Sequence, residues 1–507
     1  MIEFILSALV ILITTSVGWF VRVNTSPFSL PGPLTLPYFG NGLSFIGRDV
    51  IQVIDKWTSK YGKTYQIRLR GDWILMVADA DFLRQILASK SFVKRDNPIS
   101  QIPLDMYKKG LVLNPDVAVS RIHRRLFKSA TQGQRFLESA CLISCQKADR
   151  LLEIIFTNQC TEGARLVDVA KYFKLLTLDI IGRLAFGYDF GALEEGVKHA
   201  LVSRIVKYLK GVQYFGFTVP LLRSKKAVKD FVENANYLRD LEYNTLKRAR
   251  EELAVRGQDV TIEDAKSFPE SLILEQQQAM AAADSGAASD LEFLDDNYLA
   301  CDIRDMLLAG TDTSSNALTY IFYFLAKYPE KSAKVRSELE STLPTSYSDP
   351  QFSKMLLKLP YTDAFIKETM RLFFITPIIV REAAEDEVVN GLLIPKGTRV
   401  NLNLSYASTD PSQISQADEF LPERWLVPAQ ASMLSKIVFP FGHGTRNCVG
   451  QHIARVEMRA VLARILPNVD VHLLSPDQQV ETGFDVVLHP KDDCLLLKFT
   501  RRNSGAF

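Results

Sequence analysis

The stretch that decides the fold is Phe441-Gly442-His443-Gly444-Thr445-Arg446-Asn447-Cys448-Val449-Gly450. Apolar residues recur at helical spacing directly after it, and Pro467 closes the run, so Cys448 is predicted to lie at the N-terminus of a helix. The helix dipole and the free backbone N–H groups at that end favour an anion. We therefore expect the Cys448 thiol to ionise easily.

The neighbours of this cysteine point to a bulky, flat, charged ligand. Gly442, Gly444 and Gly450 allow the backbone to approach such a group closely. Phe441 offers an aromatic wall, and Arg446 offers a cation that can pair with a carboxylate. Together with a thiolate, these features suit a haem iron held by cysteine. The alternative is a glycine-rich turn before a core helix that happens to contain a cysteine.

A second polar motif lies inside a long apolar segment. Residues 302–326 are predicted to form one buried helix that contains Ala309-Gly310-Thr311-Asp312-Thr313-Ser314. Glycine is unfavourable in mid-helix, and a threonine hydroxyl can bond back to the carbonyl four residues earlier, here that of Ala309. We expect a local distortion that admits water and suits proton delivery by Asp312 and Thr313. The alternative is a helix kink whose polar groups are satisfied.

A third motif pairs opposite charges. Glu368 and Arg371 lie three residues apart in a helical stretch, so they share a face. Alone, such a pair is a routine surface salt bridge. The segment Phe420-Leu421-Pro422-Glu423-Arg424-Trp425 adds Arg424, which can reach the same glutamate. We interpret the three residues as a structural network.

These motifs resemble the cytochrome P-450 family and follow its order over about residues 30–490. The residues that match its haem-binding loop are Phe441, Gly444, Arg446, Cys448 and Gly450. The resemblance implies a mainly α fold with small β-sheets and a single large catalytic domain holding haem b, with Cys448 as the axial iron ligand. It also implies that Asp312 and Thr313 are the acid and alcohol of the oxygen-activating motif, and that Glu368, Arg371 and Arg424 form the family's buried triad.

The resemblance further implies cations that hold the haem propionates. Arg381 matches one such position. A helical contact with a propionate is expected near residues 120–127, where two registers are open: His123 with Phe127, or Arg121 with Arg125. We choose His123.

The candidate substrate pocket is apolar. Its lining residues are predicted to be Leu308, Ala309, Ile378, Ile379 and Phe484, with no cluster of charge. The resemblance then implies a monooxygenase that inserts one atom of O₂ into an apolar small molecule. Its implied electron source is an NADPH-dependent diflavin reductase, with cytochrome b5 as a second donor. The alternatives are a haem-thiolate enzyme that uses peroxide or rearranges its substrate without a reductase, and a membrane-anchored haem carrier or sensor.

The N-terminal segment and the composition predict where the protein is located in the cell. The apolar run at residues 4–21 would span roughly 27 Å as a helix, close to a bilayer core. No basic segment precedes it, so residues 1–22 are predicted to be a retained membrane anchor rather than a cleaved signal peptide. Residues 23–40 are proline-rich and predicted to be a linker, and residues 41–507 the catalytic domain.

The remaining composition is that of a globular protein in a reducing compartment. Hydrophobic residues make up 47% and charged residues 23% of the 507, and a net charge of +2 gives no sign of nucleic-acid binding. The six cysteines are scattered without a CxxC pair. Together with the resemblance, they predict an endoplasmic reticulum membrane protein whose catalytic domain faces the cytosol.

Several elements are predicted by periodicity. Residues 64–69 and 73–77 are expected to form a β-hairpin, and residues 167–186 and 226–253 long helices. Residues 276–290 suggest a surface loop or frayed helix end. The aromatic stretch 214–222 is either a buried loop or, by resemblance, the substrate entrance at the membrane. Strands are expected near residues 486–488 and 495–499.

Overall fold

A computed structural model describes residues 14, 18, 28–36, 40–69, 71–94, 109–112, 114, 116–157, 164–196, 199–217, 223–257, 259–284, 293–484 and 487–502. At positions 209, 212, 213 and 215–217 it describes the backbone alone.

The N-terminal half of the described chain is mainly helical after an initial β-hairpin. Its elements are α1 (Val50–Tyr61), β1 (Thr64–Leu69), β2 (Asp72–Val77), α2 (Ala80–Ala88), β3 (Phe92–Val93), α3 (Val117–Thr131), α4 (Gln134–Thr157), β4 (Arg165–Asp168), α5 (Val169–Phe186), α6 (Ala192–Glu195), α7 (Ala200–Phe217), α8 (Lys225–Arg256) and α9 (Phe268–Asp284).

The C-terminal half begins with the longest buried helix and ends in short strands. Its elements are α10 (Asp296–Lys327), α11 (Pro329–Thr342), α12 (Phe352–Leu356), α13 (Pro360–Leu372), β5 (Ile378–Ala383), β6 (Glu387–Val389), β7 (Leu392–Ile394), β8 (Arg399–Asn403), α14 (Leu404–Ser408), α15 (Pro428–Leu434), α16 (Gln451–Ile465), β9 (Val469–His472), β10 (Thr482–Phe484), β11 (Leu488–Pro490) and β12 (Leu496–Arg501).

Helix α10 is the central element of the core. The Asp295 side chain caps it by accepting a hydrogen bond from the Tyr298 N–H, and most of its 32 residues are buried. It packs against α5, which the Asp168 side chain caps and which ends at Gly187 with φ of 71°. Helices α8, α13 and α16 also contact α10. A residue on α10 is therefore held by packing on several sides.

Small sheets surround this helical core. The largest has the strand order β1-β2-β8-β5-β3, in which β2 and β8 are parallel and the other pairs antiparallel. A three-stranded sheet has the order β4-β12-β9, and β6-β7 and β10-β11 are two-stranded. The parallel pairing of β2 with β8 brings residues 74–77 beside residues 399–402, so segments far apart in sequence form one sheet.

The predicted fold class, mainly α with small β-sheets, is confirmed by this architecture. The hairpin at residues 64–77 and the helices predicted at 167–186, 226–253 and 302–326 are present with small shifts of their ends. Of the two alternatives predicted there, loop and frayed helix end, residues 276–284 form the end of helix α9, and Gln276 bonds both the Leu294 carbonyl and Arg250. Residues 218–222, 285–290 and 486 of the other predicted segments lie outside the described residues.

The predicted linker at residues 23–40 is partly docked on the domain. Phe28 is buried in a core cluster with residues of β2 and α2. The Gln66 side chain donates to the Leu30 carbonyl at 2.5 Å, and the Gln66 N–H donates to the Pro31 carbonyl at 3.0 Å. Proline removes its own N–H but leaves its carbonyl free to accept, so a proline-rich segment can still line the edge of β1.

The membrane anchor predicted for residues 1–22 lies outside the described residues except for Thr14 and Gly18. Within the part of the chain that is described, no helix combines the length and apolar character needed to cross a bilayer.

Candidate active site

Cys448 lies in the loop that leads into α16. Its N–H donates to the Phe441 carbonyl at 2.7 Å, and the backbone N–H groups of Gly450 and Gln451 are directed at its sulfur. These donors lower the pKa of the thiol as predicted, but burial raises it more, so the net pKa lies above its ordinary value. For the protein chain alone, the direction of this pKa shift is thus opposite to the expected one. The residue nevertheless keeps an accessible face, as an iron ligand requires.

Close packing shapes the loop at its glycines. Gly444 has φ of 71°, and a Cβ atom there would collide with the Leu87 carbonyl at the end of α2. Gly442 has φ of 72° and lies against Ile379 of β5. Glycine at position 444 is thus required for the close contact with α2. The guanidinium of Arg455 lies 5.1 Å from the centre of the Phe441 ring.

Three cationic side chains gather beside the loop, of which Arg381 is buried and Lys94 and Arg446 are half-buried. Burial, followed by the charge of Arg446, lowers the pKa of Arg381 to about 10. Burial together with Arg446 and Arg381 lowers the pKa of Lys94 to about 7. Nη2 of Arg446 is buried without a hydrogen-bond partner in the described part of the chain. Such concentrated positive charge is unfavourable alone and fits a ligand with carboxylates.

Helix α3 meets the loop in a register that sequence analysis did not consider. Arg124 donates to the carbonyl and side-chain oxygens of Asn447 at 2.8 and 2.7 Å. Ser120, one turn earlier on the same face, accepts a hydrogen bond from Arg446. Neither of the two predicted registers, His123 with Phe127 or Arg121 with Arg125, makes these contacts.

His123 is directed at a different helix. Its Nδ1 lies 2.5 Å from Oδ2 of Asp302 on α10, and both side chains are fully buried. Burial lowers the pKa of His123, but Asp302, the Phe293 backbone and Asp305 together raise it more. His123 is thus paired with a carboxylate of the protein, and Arg124 is the residue of α3 that contacts the cysteine loop.

Helix α10 opens towards the site at its polar motif. Ala309 is exposed and Leu308 half-buried, although most of the helix is buried. The Thr313 hydroxyl donates to the Ala309 carbonyl at 2.6 Å, which is the predicted backward bond. The helix nevertheless runs unbroken through this motif, so the expected distortion interrupts no turn. Asp312 is 8% exposed, and burial raises the pKa of its carboxyl group.

The other predicted pocket residues lie on two neighbouring segments. Ile378 and Ile379 are half-buried at the start of β5, where Ile379 borders the cysteine loop. Phe484 is half-buried on β10 and pairs with Leu488 of β11. The Leu488 N–H donates to the Ile375 carbonyl at 2.8 Å, which brings this hairpin beside the start of β5.

Glu368, Arg371 and Arg424 meet in one buried network. The Glu368 carboxylate accepts two bonds from Arg371, each 2.9 Å, and one from Arg424 at 3.0 Å. It also accepts from the Trp425 indole and the Leu421 N–H, which sequence analysis did not predict. Both arginines use their remaining N–H groups on backbone carbonyls between residues 408 and 419. The carboxylate and both guanidinium groups are therefore hydrogen-bonded, as burial requires.

A comparison with known families agrees with this geometry. The model of the cytochrome P450 family matches residues 30–497. The chain belongs to the cytochrome P450 family. This P450 is similar to cytochrome P450 3A17 of Cavia porcellus, with 27% identity over 499 residues that cover 96% of this chain and 93% of the relative. It is 25% identical to human cytochrome P450 3A7 over 455 residues, 87% of this chain and 84% of the relative. It is 26% identical to cytochrome P450 4d2 of Drosophila melanogaster over 468 residues, 88% of this chain and 89% of the relative.

Family membership fixes the reaction class and the cofactor. This P450 is a monooxygenase, an oxidoreductase that carries haem b with a cysteine thiolate on its iron. The residues present fit that group, because an accessible thiol, a buried guanidinium nitrogen without a partner and several mutually repelling cations lie together at one loop.

Proposed function

We propose that this P450 inserts one atom of O₂ into an apolar small molecule, using electrons that a diflavin reductase takes from NADPH. The observation that carries the proposal is the exposed patch on α10 at Ala309, beside the Thr313 hydroxyl. The apolar side chains of Ile378 and Ile379 support an apolar substrate. Cytochrome b5 is a second candidate electron donor.

Cys448 is the proposed iron ligand. When bound, haem b supplies the iron at which O₂ is activated, and a thiolate ligand favours cleavage of the O–O bond. The N–H groups of Gly450 and Gln451 stabilise the thiolate. Of the other cysteines that are described, Cys141, Cys145 and Cys301 are buried in helices, and Cys494 follows a surface turn.

The cations beside the loop are proposed to hold the carboxylates of the cofactor. Arg381 and Arg446 supply guanidinium groups, and Lys94 supplies an ammonium group that a carboxylate would keep protonated. Arg124 holds the Asn447 end of the cysteine loop through two hydrogen bonds. Haem binding would thus relieve repulsion that the protein chain carries alone.

Asp312 and Thr313 are proposed to manage protons. The Thr313 hydroxyl lies at the open face of α10 and is fixed by its bond to Ala309. Asp312 is the adjacent acid, and burial raises its pKa, which favours the protonated form. Together they can hold a proton where the substrate is oxidised.

The membrane location is part of the same proposal. Residues 1–22 would anchor the protein in the endoplasmic reticulum membrane with the catalytic domain in the cytosol, where the reductase can reach it. The apolar run at residues 4–21 and the prolines that follow support this arrangement. Membrane lipid would also concentrate apolar substrates near the domain.

Reconstitution with a diflavin reductase tests the function. The full chain, the reductase, NADPH and a panel of apolar compounds that change the haem spectrum are incubated in lipid vesicles. We expect a product that has gained one oxygen atom and depends on both NADPH and O₂. Product formed from peroxide alone would support the reductase-independent alternative. Haem binding without turnover of any spectrally active compound would support a carrier or sensor.

The Cys448→Ser variant tests the iron ligand. An alcohol is a poor donor to iron, so the reduced carbon monoxide complex should lose the red-shifted absorption band typical of a thiolate ligand. Cys494→Ser, which removes an exposed thiol elsewhere, should retain that band. A normal band in Cys448→Ser would refute the assignment.

A further inference from the structure

A cluster of charged side chains lies behind the polar motif of α10. Lys174 on α5 extends its Nζ to within 3.5 Å of Asp312 Oδ1 and 3.6 Å of Asp493 Oδ1. Asp493 belongs to the turn Lys491–Asp493, which follows β11. Nδ1 of His489 on β11 lies 3.3 Å from the same Asp493 oxygen. Helix α5 and the C-terminal hairpin therefore both place charges at Asp312.

These side chains form a gradient from the surface to the interior. Side-chain exposure falls from 37% at Asp493 to 14% at Lys174 and 12% at Asp312. The crevice on the α5 side of Asp312, lined also by Leu178 and Ile205, is too narrow for a water molecule. Neighbouring protein charges, rather than solvent, therefore dominate the field at this carboxylate on that side.

The two charges beside Asp312 act in opposite directions. The Lys174 ammonium favours the charged form of Asp312, whereas the Asp493 carboxylate both opposes that form and competes for Lys174. The distance from Lys174 Nζ to Asp312 Oδ1 is longer than that of a good hydrogen bond, as expected for a cation shared by two acids. Asp312 Oδ1 makes no hydrogen bond within the described structure, so its proton occupancy depends on this balance.

We propose that Lys174 and Asp493 are positioning residues of the oxidation: Lys174 holds the Asp312 carboxylate at the rear edge of α10, and the two charges together decide how readily Asp312 takes up a proton. The inference rests on the proposed role of Asp312. It adds α5 and the C-terminal turn to a site that the motifs confine to α10 and the cysteine loop.

The titration behaviour of Asp312 agrees with this geometry. Burial is the main cause that raises its pKa, Lys174 lowers the pKa, Asp493 raises it and His489 lowers it. These are the titratable groups that face the carboxylate from α5, β11 and the turn after it. Lys174, in turn, has a raised pKa because Asp312 and Asp493 outweigh the effect of its burial, so it remains a cation at neutral pH.

Two substitutions that should move the protonation midpoint of Asp312 in opposite directions test the proposal. Lys174→Gln removes the cation and should move the protonation midpoint of Asp312 to higher pH. Asp493→Asn removes the competing anion and should move it to lower pH. Residues 492 and 493 have φ of 59° and 53°, a region that asparagine tolerates, so Asp492→Asn is a matched control that should leave the midpoint unchanged. Lys174→Arg keeps the charge and should stay close to the unsubstituted protein.

Infrared spectroscopy of the haem-loaded protein measures the midpoint directly. The carboxyl band of Asp312 is identified by its loss in Asp312→Asn and followed across pH in each variant. Shifts of opposite sign for Lys174→Gln and Asp493→Asn support the proposal. Shifts of the same sign, no shift, or an equal shift in Asp492→Asn overturn it.

A second measurement separates this inference from the proposed function. The ratio of product formed to NADPH oxidised is recorded across pH in the same variants, and its midpoint should move with the infrared midpoint. Suppose that the infrared midpoints shift in opposite directions but the ratio of product to NADPH oxidised does not change. Lys174 and Asp493 would then control the protonation of Asp312, but their role in the oxidation would be overturned. If no compound gives product, the proposed function fails, while the infrared result still decides whether Lys174 and Asp493 control Asp312.

Discussion

Thr313 is the residue whose role can be tested most cleanly. Its hydroxyl makes one described hydrogen bond, to the Ala309 carbonyl, so Thr313→Ala should cost only about 1 kcal/mol of stability. If the hydroxyl also positions a proton, electrons from NADPH should go to hydrogen peroxide rather than to product. We expect haem content and substrate binding to persist while the ratio of product to NADPH oxidised falls.

The same helix supplies the control for Thr313. Thr319 makes an equivalent bond to the Ser315 carbonyl at 2.8 Å but is fully buried. Thr319→Ala should therefore lower stability without changing the ratio of product to NADPH. An unchanged ratio in Thr313→Ala would make its hydroxyl structural, and loss of haem would show that it maintains the helix.

Among the elements, α13 depends on Glu368. This carboxylate joins α13 to the turn at Pro422–Trp425, and its removal in Glu368→Ala would leave two arginines buried without their partner. We expect a loss of about 3–5 kcal/mol, seen as a lower urea midpoint and faster haem release. Glu153→Ala removes an exposed pair with Arg150 and should change stability by less than about 0.5 kcal/mol. Similar midpoints for the two variants would contradict the network's role.

Helix α16 carries a buried acid that predicts a pH dependence. Burial raises the pKa of Glu457 from 4.5 to about 8, and Ser314 opposes that effect in part. Between these two pKa values the folded state binds the proton more tightly than the unfolded state, so this residue makes stability fall as pH rises. Glu457→Gln should lose less stability than the unsubstituted protein between about pH 5 and pH 8. Glu252→Gln changes an exposed acid and should leave the slope of stability against pH unchanged. An unchanged slope in Glu457→Gln would show that Glu457 is not the source of the pH dependence.

At the scale of the whole molecule, the N-terminus should be separable from the domain. Deleting residues 1–22 is expected to weaken membrane attachment and preserve the haem spectrum, because Phe28 and Leu30 remain and keep their contacts with the domain. Deleting residues 1–40 removes Phe28 as well and should cost at least about 1.5–3 kcal/mol. Sedimentation with vesicles and thermal unfolding measure the two effects. Loss of haem on the shorter deletion would count against an independent anchor.

Local patterns predicted the parts of the molecule that depend on local physics. The helical spacing after Cys448, the backward bond of Thr313 and the spacing of Glu368 and Arg371 each follow from residues close in sequence. Arg124 and Lys174 were missed because their partners are supplied by segments more than a hundred residues away. The raised pKa of Cys448 was missed because burial depends on the complete fold.

The contact between Arg124 and Asn447 joins residues 323 positions apart. A ribosome that adds roughly 5–20 residues per second reaches Asn447 about 16–65 s after it has added Arg124. During that interval the basic face of α3 lacks its partner, because the cysteine loop that Arg124 will contact has not yet been synthesised. Factors that shield nascent chains should therefore matter more for this protein than for one whose cofactor site comes from a single segment, and slowing synthesis of the last sixty or so residues should delay haem capture without altering the finished enzyme.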